Sequence, residues 1–177
     1  MKRKSTSTLF VSLTVLTMCC QSLAAQPAAA GQDHQFQVVL LVADNRGQSM
    51  PQDLPQGAQQ ALADARNILP YKSYRVSDMV SYRTTDHSQT RMKGPAGQTY
   101  TLGIRAREGE AGPGSLMVSF DLIEVDKSQQ GSRTPRAATS LISTSFGIEE
   151  GETVVVGASR LAGRDEALVA LLTVLPE

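Results

Sequence analysis

The chain has 177 residues, in which 17 Lys and Arg balance 17 Asp and Glu, and it contains two cysteines and no tryptophan. Three of the basic residues are Lys2, Arg3 and Lys4, so residues 25–177 carry 14 basic against 17 acidic side chains, a net charge of −3. This mildly acidic and well-mixed composition excludes a nucleic-acid-binding protein and a protein that binds anionic membranes by charge. With four Phe and four Tyr, it also excludes an aromatic cage for cations.

The first residues have the pattern of a secretory signal peptide. The basic residues Lys2, Arg3 and Lys4 precede the apolar run Leu9–Cys20, which is too short to span a bilayer. We therefore expect residues 1–24 to be a signal peptide. The predicted location is the periplasm or cell envelope, with secretion as the other outcome, and we expect no transmembrane helix in the mature chain.

Three processing sites are open. A cut after Ala24 follows small residues directly after the apolar run, and a cut after Ala30 has small residues but lies further away. The third alternative is a lipobox at Leu16–Cys19, with Cys19 acylated, although Met18 is bulky where a small residue is expected. The sequence favours Ala24. Either peptidase cut removes both cysteines, which excludes disulfides and cysteine-based metal sites.

After a predicted linker at residues 25–34, residues 35–177 are expected to form one domain. The continuous apolar run Phe36–Ala43 predicts a strand that is covered on both faces. Apolar residues at helical spacing then predict a helix over Leu54–Leu69, with a capping box between Asp53 and Gln56.

The rest of the chain alternates with a period of two, as in strands with one wet face. Tyr74, Val76, Val80 and Tyr82 are predicted to point to one face, and Arg75, Ser77, Ser81 and Arg83 to the other. Further strands are predicted over residues 100–106, 116–122, 140–148, 153–158 and 167–175, and loops over Thr84–Gly97 and Lys127–Ala137. The expected fold class is α+β, with one helix packed on a mostly antiparallel sheet or on a β-sandwich of about seven strands.

One segment resembles a known family. Ser143–Ser159, with Gly151-Glu152-Thr153 followed by Val154-Val155-Val156 and Gly157, resembles the late hairpin of bacterial secretins, the outer-membrane pore subunits of secretion and pilus systems. The chain lacks the several N-domains and the long set of pore strands of secretins. The resemblance implies an envelope accessory protein that shares one β-structural unit with them. The layout is otherwise similar to that of short uncharacterised exported bacterial proteins.

The residues that catalysis or metal binding would need are not clustered in the sequence. His34 lies beside the linker and His87 in a polar segment, and both are expected to be solvated surface histidines. Ser159 follows Gly157 but lacks the second glycine of a nucleophile elbow. We therefore expect no catalytic residues, no cofactor and no bound metal.

The remaining cluster is basic and aromatic. Tyr71, Lys72 and Arg75 follow the predicted helix, and Arg83 is predicted to lie on the same polar strand face. These four residues are the candidate partner surface. The favoured hypothesis is a non-enzymatic envelope protein that binds another protein and acts as an accessory to a secretion or pilus system. The alternative is a small exported hydrolase or ligand-binding protein, whose signature would be a deep pocket with His87 and a buried carboxylate.

Overall fold

The computed structural model describes residues 33–110, 112, 114–125, 139–162 and 164–176. The predicted signal peptide, its three processing sites and the predicted loop Lys127–Ala137 lie outside the described residues. The described strands and helix are, in chain order, β1 His34–Asp44, α1 Gln56–Ala65, β2 Ser73–Thr84, β3 His87–Lys93, β4 Thr99–Glu108, β5 Ser115–Val125, β6 Thr139–Glu149, β7 Thr153–Arg160 and β8 Glu166–Leu175.

The eight strands form two antiparallel sheets of four. The first sheet has the order β2-β1-β8-β7 and carries α1, and the second has the order β3-β4-β5-β6. The predicted fold class is thereby confirmed, as a mostly β protein with a single helix. The strand count is eight rather than about seven.

The main core lies between the two sheets. Strands β4 and β5 contribute alternate side chains to it, and all of those predicted to point inward are buried. Phe36, Val38 and Leu40 face them from β1. The inward residues of β4 and β5 are Tyr100, Leu102, Ile104, Ala106, Leu116, Val118, Phe120 and Leu122.

A second cluster lies under the helix. Ala58 and Leu62 of α1 pack on the outer face of the first sheet, against residues that include Val39 and Val169. Because β1 and β8 are covered on both faces, their sequences are continuously apolar. His34 is the first residue of β1 and is 6% exposed, so the expectation of a solvated His34 was wrong.

The helix is shorter than predicted. It begins at Gln56 and ends at Ala65, and Ile68, predicted to pack, is 84% exposed. The predicted capping box does not form, because Pro55 occupies the N-cap and no side chain caps the helix. Instead, Gln59 Nε2 donates a hydrogen bond of 2.8 Å to the carbonyl oxygen of Leu54.

The predicted loop Thr84–Gly97 contains strand β3, and this prediction was wrong. The segment His87–Lys93 pairs with β4 along its length. Its only buried side chain is that of Met92, because β3 is an edge strand and six of its seven side chains are polar or charged and exposed or half-buried. One apolar residue is too few to produce an alternating pattern in the sequence.

A bulge in β2 overturns the predicted single polar face of that strand. Register shifts between Leu40 and Leu41, so that Ser77 has no opposite residue in β1. One extra residue reverses the alternation. Tyr74 therefore packs under the helix, whereas Val80 and Tyr82 pack against the core between the sheets.

The Ser143–Ser159 segment is an arch and not a hairpin. Its two strands, β6 and β7, belong to different sheets, and β7 pairs with β8. Gly151 makes the turn between them with a φ of 81°, a conformation that favours glycine. At the β7 bulge, a Cβ added to Gly157 would lie 3.2 Å from Ile142 Cγ2, so the two sheets approach closely here.

Candidate functional site

Four strand ends of the first sheet meet at one end of the sandwich. Asp44, the last residue of β1, lies opposite Ser73 of β2 on one side and Glu166 of β8 on the other. Arg160, the last residue of β7, lies opposite Ala167 of β8. Antiparallel pairing therefore brings together three loops that are far apart in the sequence: the loops after β1, before β2 and between β7 and β8.

An ion-pair network ties these strand ends together. Arg75 Nη1 donates to Asp44 Oδ2 at 3.2 Å, and Arg75 Nη2 donates to Glu166 Oε1 at 2.9 Å. The two carboxylate side chains are 5% and 9% exposed, whereas the side chain of Arg75 is 52% exposed. Arg164 Nη1 lies 3.6 Å from Glu166 Oε2. The hydrogen bond from Arg75 is the main cause that lowers the pKa of Glu166, so its carboxyl is held ionised.

Local hydrogen bonds position the neighbouring cations. Asp44 Oδ1 accepts a hydrogen bond of 2.7 Å from the backbone amide of Arg46 and so fixes the turn after β1. The backbone amide of Arg164 donates to the carbonyl oxygen of Leu161, which shapes the turn between β7 and β8. Four arginines, Arg46, Arg75, Arg160 and Arg164, together with Lys72, define what we call the arginine-rich end.

A recess of about 300 Å³ opens at the arginine-rich end. Its charged wall consists of two arginines and two carboxylates, Arg160, Arg164, Asp165 and Glu166, and its apolar wall of Pro70 and Tyr71. A second hollow, of about 720 Å³, shares the charged wall and adds Arg46. The recess lining is neutral in sum, and Arg46 gives the adjoining hollow a net charge of +1. Its guanidinium groups are fork-shaped donors suited to binding carboxylate or other anionic groups.

The structure places three of the four predicted partner residues at this end. Tyr71 lines the recess, the Lys72 amide donates to the carbonyl oxygen of Asp44, and Arg75 forms the network described above. Arg83 does not belong with them. It lies opposite Gln35, whereas Arg75 lies opposite Val42, so the β2 bulge places the two arginines on opposite faces of the sheet. They are also eight residues apart, roughly 26 Å along the strand.

Sequence reasoning missed Arg46, Arg160 and Arg164 as members of this site. Each belongs to a turn segment that the sequence marks, Asp44–Gly47 or Arg160–Asp165, with an arginine beside glycine or aspartate. That signal indicates a turn, but it does not show that two turns 114 positions apart, at Arg46 and Arg160, line the same hollow. Only the pairing of β1 with β8 establishes this.

The signature of the alternative hypothesis is not met at His87. This side chain is exposed and its Nδ1 lies 3.2 Å from the carbonyl oxygen of Ile104. It borders an open groove of about 370 Å³ over the outer face of the second sheet, and the carboxylate there, Asp121, is itself exposed. Ser143 Oγ donates to Asp121 Oδ1 at 2.5 Å. His87 lies two strands away from Asp121, and two residues along β3 from the position level with it.

Two further findings concern the described part of the chain. Within it, no three His, Cys, Asp or Glu residues are grouped so that they could hold a metal ion. No helix in this part of the chain is long and apolar enough to cross a membrane.

Comparisons with known proteins give distant structural matches alone. No protein-family model and no curated protein matches this chain. A structural comparison matches the Salmonella SPI-1 type III secretion injectisome secretin InvG (residues 176 to the end, open gate state), with 12% identity and a TM-score of 0.29. The match covers 82% of this chain and 59% of that one, so this chain spans less than two thirds of the secretin chain. The predicted resemblance to secretins is confirmed as a weak and distant one, and it assigns no activity or partner to this chain.

Proposed function

We propose that this chain is an exported, non-enzymatic envelope protein that binds another protein through the arginine-rich end. One observation carries the proposal: Arg46 from the loop after β1 and Arg160 and Arg164 from the turn between β7 and β8 line one hollow, although residues 25–177 have a net negative charge. A local excess of positive charge on an acidic protein directs one face toward an anionic partner.

The chemistry of the site favours binding over catalysis. Guanidinium groups stay protonated at all physiological pH values, so they do not act as general bases. Glu166 is held ionised by Arg75, which makes it a weak base and no acid at neutral pH. The groups in the recess are therefore equipped to hold negative charge in a fixed place.

The export and the accessory role rest on the sequence. Residues 1–24 support passage into the periplasm or cell envelope, with an acylated Cys19 as the less favoured alternative. The local resemblance of Gly151–Gly157 to secretins supports a role beside a secretion or pilus system. In this proposal the partner is an envelope protein, and no cofactor or metal takes part.

Mild cross-linking in the native envelope tests the proposal. The protein is purified with its cross-linked neighbours, and both its N-terminus and its partners are read by mass spectrometry, for the wild type, for the double variant R46Q/R160Q and for the control R83Q. We expect one stoichiometric secretion or pilus component with the wild type and with R83Q. Its yield should fall about tenfold with R46Q/R160Q, as loss of charge-assisted hydrogen bonds predicts.

Two results would contradict the proposal. One is an unaccompanied protein whose N-terminus lies near Ala25 or Gly31. The other is a partner whose yield is the same for R46Q/R160Q and the wild type, since binding would then lie elsewhere on the molecule.

A further inference from the structure

We propose that the recess and the hollow that shares its charged wall together bind an acidic peptide segment of the partner, in which successive Asp or Glu carboxylates pair with Arg46 and Arg160. This inference rests on the proposed function and deepens it, because it gives the chemistry of the partner's contact segment. It is argued from the charges that the fold leaves unpaired, from their placement and from the shape of the recess.

Two of the four arginines at this end are paired with described carboxylates within the fold, and two are not. Arg75 and Arg164 pair with Asp44 and Glu166, so these four side chains sum to zero. Neither Arg46 nor Arg160 forms an ion pair with any described carboxylate, and both are exposed.

Arg46, Arg160 and Arg164 line the hollow together with Asp165 and Glu166, so its lining has a net charge of +1. This positive charge is available to a ligand, because Arg46 and Arg160 are the unpaired members among the described residues.

Hydrogen bonds of the fold hold the backbones of Arg46 and Arg160 in place. Arg160 ends a strand whose backbone is held in the ladder with β8, and the turn of Arg46 is held by Asp44. The backbones of both residues are thus restrained by hydrogen bonds of the fold. A cation on a fixed backbone loses less entropy on binding than one on a mobile segment. Arg46 and Arg160 line the same hollow, so one extended chain can reach both.

The walls and the shape of the recess indicate the class of partner that it fits. Pro70 and Tyr71 give the recess an apolar wall beside its arginines, which suits side chains and backbone of a peptide better than bare phosphate groups. Its 300 Å³ volume is at the small end of ligand pockets and is concave, whereas a bilayer surface is flat on this scale. The carboxylate of Asp165 also opposes a densely charged polyanion. An acidic peptide satisfies all three features.

Fluorescence anisotropy tests the inference on the full mature chain. The probe is a labelled peptide of alternating Glu and Gly, and the matched control peptide has Gln in place of each Glu. We expect the Glu peptide to bind and the Gln peptide not to bind, with affinity that falls as salt is raised. R160Q and R46Q should each weaken binding of the Glu peptide about tenfold, and R83Q should leave it unchanged.

A gain-of-affinity variant keeps the test independent of folding defects. D165N removes a repulsive carboxylate from the recess wall, so binding of the Glu peptide should tighten about two- to threefold. A merely destabilised protein would not bind more tightly.

Three results would overturn the inference: equal binding of the Gln peptide, binding that R46Q and R160Q leave intact, or arginine-dependent binding of anionic phosphatidylglycerol vesicles without binding of the Glu peptide. The proposed function fails separately. If the native partner is lost in R46Q/R160Q and yet the Glu peptide does not bind, protein binding at this end stands and the acidic-segment inference falls.

Discussion

Arg75 uses both terminal nitrogens of its guanidinium within the fold. One donates to Asp44 on β1 and the other to Glu166 on β8, so a single side chain joins three neighbouring strands. Without this partner, two carboxylates that are less than a tenth exposed would destabilise the folded state, because burial disfavours an unpaired charge. We infer that Arg75 positions the recess, while Arg46 and Arg160 are the cations that remain free to meet a ligand.

The substitution Glu166→Gln tests this positioning role through pH. Because the pKa of Glu166 lies below its ordinary value of 4.5, ionised Glu166 stabilises the fold above that value. The stabilisation is lost as pH falls through the lower pKa of the folded protein. Since Arg75 is half exposed and solvent screens it, E166Q should lower the free energy of unfolding by about 1 kcal/mol at pH 7.

Urea denaturation at several pH values measures this difference, with E150Q as the control on an exposed carboxylate that forms no ion pair with a described residue. The gap between wild type and E166Q should close as pH falls below 4.5. A gap that stays constant down to acid pH would show that Glu166 acts through packing and not through its charge.

Two tyrosines, the half-buried Tyr82 and the buried Tyr74, should respond differently to loss of the hydroxyl. The hydroxyl of Tyr82 is buried with no hydrogen-bond partner among the described residues, and burial raises its pKa. Tyr82→Phe should therefore leave stability unchanged or raise it by up to about 1 kcal/mol. The hydroxyl of Tyr74 donates to the carbonyl oxygen of Tyr71 at 3.3 Å, so Tyr74→Phe should cost about 1 kcal/mol. Thermal unfolding of both variants checks the pair, and a loss in Y82F as large as that in Y74F would contradict the assignment.

At the scale of elements, helix propensity and packing have opposite effects on stability where α1 contacts β7. Gly57 lies inside the helix, where Ala is normally more stable by about 1 kcal/mol. A Cβ at this position would lie 2.6 Å from Thr153 Oγ1, which is itself held by a hydrogen bond of 2.9 Å with Thr173 Oγ1. We expect Gly57→Ala to destabilise the protein by about 1–2 kcal/mol, because the clash outweighs the gain in propensity.

A second substitution separates the two effects. Thr153→Ala removes Oγ1, and the nearest remaining atom of that side chain, Cβ, is 3.6 Å from the added Cβ. In the Thr153→Ala background, Gly57→Ala should therefore become neutral or stabilising in denaturant unfolding. If Gly57→Ala stabilises the wild-type background as well, the close packing of α1 on β7 is refuted.

The pattern of apolar residues predicted most elements but not their connections. Strands β1, β4, β5 and β8 could be recognised because each carries four or more buried apolar residues in phase. Strand β3 has one buried residue, Met92, and the bulge at Ser77 adds a residue without changing the local composition. The turn at Gly151 has the same sequence requirement in a hairpin as in an arch, so long-range pairing alone decides between them.

At the scale of the whole molecule, half of the candidate site could be predicted from local sequence. Tyr71, Lys72 and Arg75 stand together as a basic and aromatic run, and the structure keeps them at one end. The other cations reach that end through the pairing of the first described strand with the last, a contact between residues more than 120 positions apart. No local pattern encodes such a contact, and none marks the β2 bulge that separates Arg83 from Arg75.

The most direct test of the account places a photo-cross-linking amino acid at Lys72, at the arginine-rich end, and separately at Arg83, near the far end of β2. Both positions are exposed, so they are matched for access. After irradiation in the native envelope, we expect one defined protein adduct from position 72 and none from position 83. An adduct of equal yield at both positions, an adduct from position 83 alone, or none at either would contradict the claim that this protein binds its partner through the arginine-rich end.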